Sequence, residues 1–164
     1  MTPGDNPNID ILPIDEEMLA ELPVFWQSIP GIGLNTDDDS PDGLRRLLKR
    51  NPGLSCIATV GGRLAGTLLC GHDGRRAMLY HVCVHPDHRG RGIGQAMVAR
   101  ALGRLKGEGI VKCQLVCFLD NPIGNGFWEH LGWIHREDLA VWQMPLVVPK
   151  DAESAGEPTG GAAK

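Results

Sequence analysis

The stretch Val82-Cys83-Val84-His85-Pro86-Asp87-His88-Arg89-Gly90-Arg91-Gly92-Ile93-Gly94 holds the residue types with the clearest chemical use in this chain. An apolar run stops at a proline and enters a loop with three glycines and two arginines. Beyond it Ile93, Met97, Ala101, Leu102 and Leu105 recur at helical spacing. A strand that feeds a glycine-rich loop into a helix start makes an anion cradle. The first N–H groups of a helix have no intrahelical acceptor, the helix dipole favours negative charge there, and glycine lets a ligand approach the backbone. The segment is expected to hold a phosphate-bearing cofactor.

Spacing separates the known cradles. No Gly-Lys-Ser or Gly-Lys-Thr occurs, so the P-loop pattern is absent. Gly90, Gly92 and Gly94 run G-x-G-x-G and miss the dinucleotide fingerprint G-x-G-x-x-G. Arg89 to Gly94 does fit Arg/Gln-x-x-Gly-x-Gly/Ala, and in this it resembles the pyrophosphate loop of the GNAT superfamily of N-acetyltransferases, which bind acetyl-coenzyme A (acetyl-CoA). Downstream, Asn121-Pro122-Ile123-Gly124-Asn125-Gly126-Phe127-Trp128-Glu129-His130-Leu131-Gly132-Trp133 is similar to the second motif of that family, an asparagine followed by a helix that ends aromatic-Glu-x-x-Gly-aromatic. The two motifs lie about thirty residues apart, room for a helix and a strand. The resemblance runs from about Leu54 to Leu146.

The resemblance implies an α/β (α+β) fold: a mixed, mostly antiparallel sheet of six or seven strands with helices on both faces. Two parallel strands, here ending near Val84 and Phe118, splay into a V that admits the pantetheine arm of the cofactor. By the same resemblance the backbone of Val82, Cys83 and Val84 holds the pantetheine and the acetyl carbonyl. Arg89, Gly90, Arg91, Gly92, Ile93 and Gly94 hold the pyrophosphate, and Asn121 contacts the pantetheine or its bound water.

The reaction so implied moves acetyl to a primary amine by direct attack in a ternary complex. An amine of pKa about 10.4 must lose a proton, an oxyanion needs a donor, and the departing thiolate needs a proton. A backbone N–H near Cys83 is the candidate oxyanion donor. Many family members carry a tyrosine seven residues after the motif asparagine, where this chain has Trp128, and some carry a glutamate five residues before it, where this chain has Val116. An indole N–H donates a hydrogen bond but is no useful acid. The candidate substitutes are solvent, Tyr80 (the single tyrosine), His81 and His85. Strict strand alternation sends Tyr80 and His81 to opposite faces. Trp128 either stacks on the pantetheine arm or shapes the acceptor pocket. The run Asp37-Asp38-Asp39 either attracts a cationic amine or serves as a solvated loop and cap. No cysteine sits where a covalent acetyl intermediate would form.

Two rival functions share these residues. A coenzyme A-binding sensor of the same fold explains the missing tyrosine and glutamate. A metal- or nucleic-acid-binding protein would use His81, Cys83, His85 and His88, or the arginine-rich loop. No metal is expected. A net charge of −4 over 164 residues argues against general nucleic-acid binding. No apolar run is long enough to span a bilayer. Met1 to Asn8 lacks the apolar core of a signal peptide. Five cysteines without framework spacing fit free thiols in a reducing cytoplasm. The expected partners are acetyl-CoA and an amine, and the expected state is a monomer or homodimer.

The remaining elements serve to position that loop. Residues 1–148 are read as one domain and 149–164 as a disordered tail. Strands are expected at Ile9–Ile14, Leu54–Val60, Arg63–Gly71, Ala77–Val84 and Lys112–Phe118, with Trp133–Arg136 and Leu139–Val147 closing the sheet. Gly61-Gly62 and Asp73-Gly74 mark turns. Helices are expected from Asp15 with a break at Pro23, from Ser40-Pro41 to Asn51, over Ile93–Lys106, and over Pro122–Leu131. Trp26, Trp133 and Trp142 are assigned to the core.

Overall fold

The computed structural model describes residues 8–146. The Met1 end, the end of the last expected strand at Val147 and the expected tail lie outside the described residues. The chain divides after Trp133 into two compact units.

In the first unit a single sheet has the order β1-β2-β3-β4-β5. Its strands are β1 (Ile9–Pro13), β2 (Cys56–Val60), β3 (Arg63–His72), β4 (Arg76–Val84) and β5 (Lys112–Leu115). The first three pairings are antiparallel and the last is parallel. Gly61 and Gly62 both have positive φ, as a tight hairpin between β2 and β3 requires. Asp73 turns β3 into β4 by accepting the Arg75 and Arg76 N–H groups.

Among the described residues four α-helices flank the sheet: α1 (Glu21–Gln27), α2 (Pro41–Arg50), α3 (Ile93–Gly107) and α4 (Pro122–His130). Pro23 falls inside the first turn of α1, where its missing N–H costs nothing, so the helix runs through it. Ser40 caps α2 by accepting the Gly43 N–H, with Pro41 at the first helical position. One core joins α3 to the sheet through Ile93, Met97, Ala101 and Leu105 against Leu54, Ala58, Leu68 and Leu79. The other seats Leu22, Trp26 and Leu44 of α1 and α2 on Ile57 and Leu69. Burying each such large side chain contributes about 1.5–3 kcal/mol.

Besides the absent break at Pro23, the helix expected from Asp15 is a short 3-10 turn, Glu16–Met18, ahead of α1, and further expectations change. β5 ends at Leu115 rather than Phe118, because Val116 and Phe118 have left the sheet and are exposed. The sheet has five strands rather than six or seven among the described residues, since 134–146 forms no strand. In that second unit Arg136 pairs with Asp138, and Ile134, Val141 and Met144 are exposed. Trp142 is 92% exposed and so is not core, whereas Trp26 is fully buried and Trp133 packs at the edge of the first core.

Candidate active site

The parallel pairing of β4 with β5 stops at Leu79 opposite Leu115. From Tyr80 to Val84, β4 continues along β3 with no strand on its other side among the described residues. This unpaired edge lies where the family resemblance implies a V-shaped opening. The backbone of Val82, Cys83 and Val84 lies along it.

At the far end of β4 the chain makes a short turn, Pro86–His88, and enters the loop Arg89–Gly92. Gly90 and Gly92 hold φ of +71° and +76°, and a Cβ at either would meet no protein atom within 4 Å. The left-handed backbone costs any other residue about 1–2 kcal/mol. Gly92 is the N-cap of α3, brings no side chain to cap it, and no acid sits in the first turn. The contrast with the other helix starts is direct. Ser40 caps α2, and Asn121 caps α4 by accepting the Gly124 N–H at 2.9 Å. α1 also lacks a side-chain cap, at Ala20, but carries Glu21 in its first turn, so α3 is the start that combines no cap with no acid and leaves its first N–H groups open to an external anion. Arg89 donates from Nε to the Val84 carbonyl, and Arg91 lies 3.4 Å from the His88 ring. Gly94 also allows close packing. A Cβ there would stand 3.1 Å from the Phe127 ring, so its absence lets α3 approach α4.

The near end of the opening is shaped by a bulge. Thr67 opposes Cys83 and Leu69 opposes Tyr80, so His81 and Val82 together face Leu68. His81 takes φ +44°, the single positive value at a non-glycine among the described residues. Such a backbone costs about 1–3 kcal/mol and survives when the surroundings fix it. The bulge also breaks the expected alternation. Tyr80 shares a face with Leu69 of the second core, and His81 stacks on Trp26 of that core, with ring centroids 4.3 Å apart. Tyr80 and His81 therefore look to one face, not two.

Side chains distant in sequence hold His81. Its Nε2 lies 2.5 Å from Asp39 Oδ1, and the two side chains are only 14% and 13% exposed. The other Asp39 oxygen accepts the Asn35 N–H at 2.7 Å. Thr67 Oγ1 lies 2.8 Å from the His81 carbonyl, to which it donates, and accepts from Trp26 Nε1 at 2.8 Å. A hydroxyl has a single proton, so the Cys83 thiol, 3.3 Å away, donates to it in turn. Burial pushes that thiol up to about 11. It is no nucleophile at neutral pH. Tyr80 is half exposed, and burial raises its phenol further, which keeps it protonated.

Trp128 is half-buried. It packs edge-on between Phe127 and Trp133, each at 4.9 Å, against the first core. The histidine run does not converge either. His81 turns to Asp39, Cys83 to Thr67, and His85 accepts the Asp87 N–H. Among the described residues no three His, Cys, Asp or Glu side chains gather to hold a metal, and no helix is long and apolar enough to cross a membrane. Sequence reasoning missed Thr67 and the link between Asp39 and His81. Forty-two positions separate that pair, and no local pattern announces it.

Comparison with known proteins adds to this geometry. The acetyltransferase (GNAT) family model matches residues 17–133, well over half of the chain. An aminoglycoside N-acetyltransferase solved in complex with CoA is 19% identical, with TM-score 0.68, covering 88% of this chain and 99% of its own. The PaiA N-acetyltransferase of Thermoplasma acidophilum, in complex with coenzyme A, is 20% identical at TM-score 0.66 over 76% of this chain and 88% of its own. A predicted acetyltransferase from Clostridium acetobutylicum, solved with acetyl-CoA, is 17% identical at TM-score 0.64, covering 83% and 96% of the two chains.

Proposed function

The chain belongs to the GNAT acetyltransferase family, and from that premise we propose that it moves an acetyl group from acetyl-CoA to a primary amine by direct attack. The observation that carries the reading is the uncapped start of α3 beneath two left-handed glycines, beside a strand whose edge is unpaired. The open space over Gly90 and Gly92 fits a diphosphate, and Arg89 and Arg91 bring positive charge to it. The edge of Val82, Cys83 and Val84, where no strand pairs and Arg89 already donates to the Val84 carbonyl, suits the amide groups of a pantetheine arm, as an added strand would. Asn121 commits its side-chain oxygen to Gly124, which leaves its amide NH2 for that arm.

When bound, acetyl-CoA supplies an activated thioester carbonyl and a thiol leaving group of pKa about 8.5. The protein's own groups do the rest. A main-chain N–H of the bulged stretch through Cys83 donates to the developing oxyanion. Tyr80, held protonated, shares a face with His81 and is the acid candidate, while His81 is the base candidate. Trp128 serves packing, and the cysteine on the strand stays a neutral thiol, so no acetyl-enzyme intervenes. The five cysteines are free, which suits a reducing compartment, and we place the enzyme in the cytoplasm.

Thermal unfolding with acetyl-CoA, NAD and ATP tests the cofactor. At a hundredfold over its dissociation constant acetyl-CoA should add about 2.7 kcal/mol, or roughly 5–10 °C for a domain of this size. The other two should give no shift. No shift with acetyl-CoA either would mean the cradle binds something else.

A further inference from the structure

Resting on that reading, we propose that Asp39 and His81 form a proton-accepting dyad, in which His81 takes the proton of the incoming amine and Asp39 is the residue that positions its ring. The acidic run between α1 and α2 thereby acquires a specific role at one of its three members. Both Asp39 oxygens are occupied, one by His81 Nε2 and one by the Asn35 N–H, so this carboxylate is not open to attract a substrate. Asn35 in turn accepts the Asp37 N–H, and Ser40 donates to the Asp37 carbonyl while capping α2. The loop is fixed at every second residue, and what it fixes is the carboxylate.

The geometry assigns the ring nitrogens. Asp39 is an acceptor, so His81 carries its proton on Nε2, and the lone pair lies on Nδ1. Nδ1 has no partner among the described residues. No buried side-chain nitrogen or oxygen among them lacks one, so Nδ1 must reach solvent. The residue is held from three directions: Trp26 beneath the ring, Asp39 at Nε2, and Thr67 at the main-chain carbonyl. These contacts also explain why a histidine occupies a backbone conformation that glycine would take without strain.

The proton balance is simple. The amine arrives as R–NH3+. One N–H bond breaks, its electron pair stays on nitrogen, and the proton bonds to Nδ1, giving an imidazolium paired with the Asp39 carboxylate. The freed pair forms the N–C bond to the acetyl carbonyl carbon while the C–S bond breaks. The second proton lost by nitrogen ends on the departing sulfur, and the proton on His81 passes to water.

The test uses the full chain in two arms. In the unliganded protein at mildly alkaline pH, nitrogen NMR of the imidazoles reports which ring nitrogen is protonated. The dyad requires His81 to carry its proton on Nε2 in wild type and to lose that preference in Asp39→Asn. In steady-state kinetics Asp39→Asn should lower kcat by about tenfold or more, with the amine KM within about twofold and acetyl-CoA affinity unchanged. Asp38→Asn removes one charge from an exposed neighbour and should change neither readout. A proton on Nδ1 in wild type, or an unchanged kcat in Asp39→Asn, overturns the dyad. So does a rise in KM shared by Asp38→Asn and Asp39→Asn, which would make the loop a diffuse electrostatic attractor. Absence of any acetyl transfer by wild type overturns the parent reading instead, and the imidazole measurement still decides the pair.

Discussion

The two ends of the β4 opening are built in different ways. The cofactor end is contiguous: strand, turn, glycine loop and helix start follow one another from Val82 to Gly94. The amine end is assembled from Trp26 on α1, Asp39 on the following loop, Thr67 on β3 and the bulged pair Tyr80 and His81. A phosphate needs open N–H groups and room, which one local segment supplies. A base needs a ring held at a fixed angle, and that takes contacts from several elements. The chain accordingly uses glycines at one end and buried polar contacts at the other.

If the ends are separable, damage at one should leave the other intact. The largest effect should come from Gly92→Asp, which forces a Cβ into a φ of +76° and puts a negative charge at the open start of α3. Calorimetric titration should show acetyl-CoA affinity reduced at least about a hundredfold, equivalent to about 2.7 kcal/mol, with the fold retained by circular dichroism. Thr67→Val acts at the other end. It strands the Trp26 N–H and the His81 carbonyl in the core, and should cost about 1–3 kcal/mol in urea unfolding. Acetyl-CoA affinity per folded molecule should be unchanged. Tyr80→Phe should lower kcat by about tenfold with affinity intact, the mark of a group used in the reaction rather than in binding.

Gly43→Ala offers a subtler break. A Cβ at this position would lie 2.2 Å from the Asp38 carbonyl, so the loop must move away from α2. Its effect should fall on kcat, measured against an unchanged acetyl-CoA affinity, because Asp39 moves with the loop. The smallest expected effect is none at all. Mass spectrometry after incubation with acetyl-CoA alone should find no acetyl group on Cys83, whose half-buried thiol is raised to about 11.

The same contrast explains what the sequence could disclose. Gly90, Gly92 and the turn glycines Gly61 and Gly62 are visible because a positive φ demands a residue type. Ser40-Pro41 and Asn121-Pro122 are visible as helix starts because capping is local. The bulge was not visible. His81 and Val82 look like ordinary strand residues, and a single extra residue moved Tyr80 and His81 onto one face. Nor could periodicity tell that Trp128 would close on Phe127 and Trp133, or that Leu139 to Leu146 would form no strand despite the apolar run Leu139 to Trp142. Pattern specifies the preference of a segment, and partners decide whether it is met.

Chemical transfer, not binding alone, separates an enzyme from a sensor of the same fold. The decisive measurement is release of free coenzyme A thiol from acetyl-CoA across a panel of primary amines, with mass spectrometry of the amine to find the added acetyl group. The expected result is amine-dependent thiol release matched by acetylated amine, and lost in Gly92→Asp. Tight acetyl-CoA binding with no amine-dependent release across peptides, polyamines, amino acids and aminoglycosides would contradict the proposed transfer, and would make the protein a coenzyme A sensor built on an acetyltransferase fold.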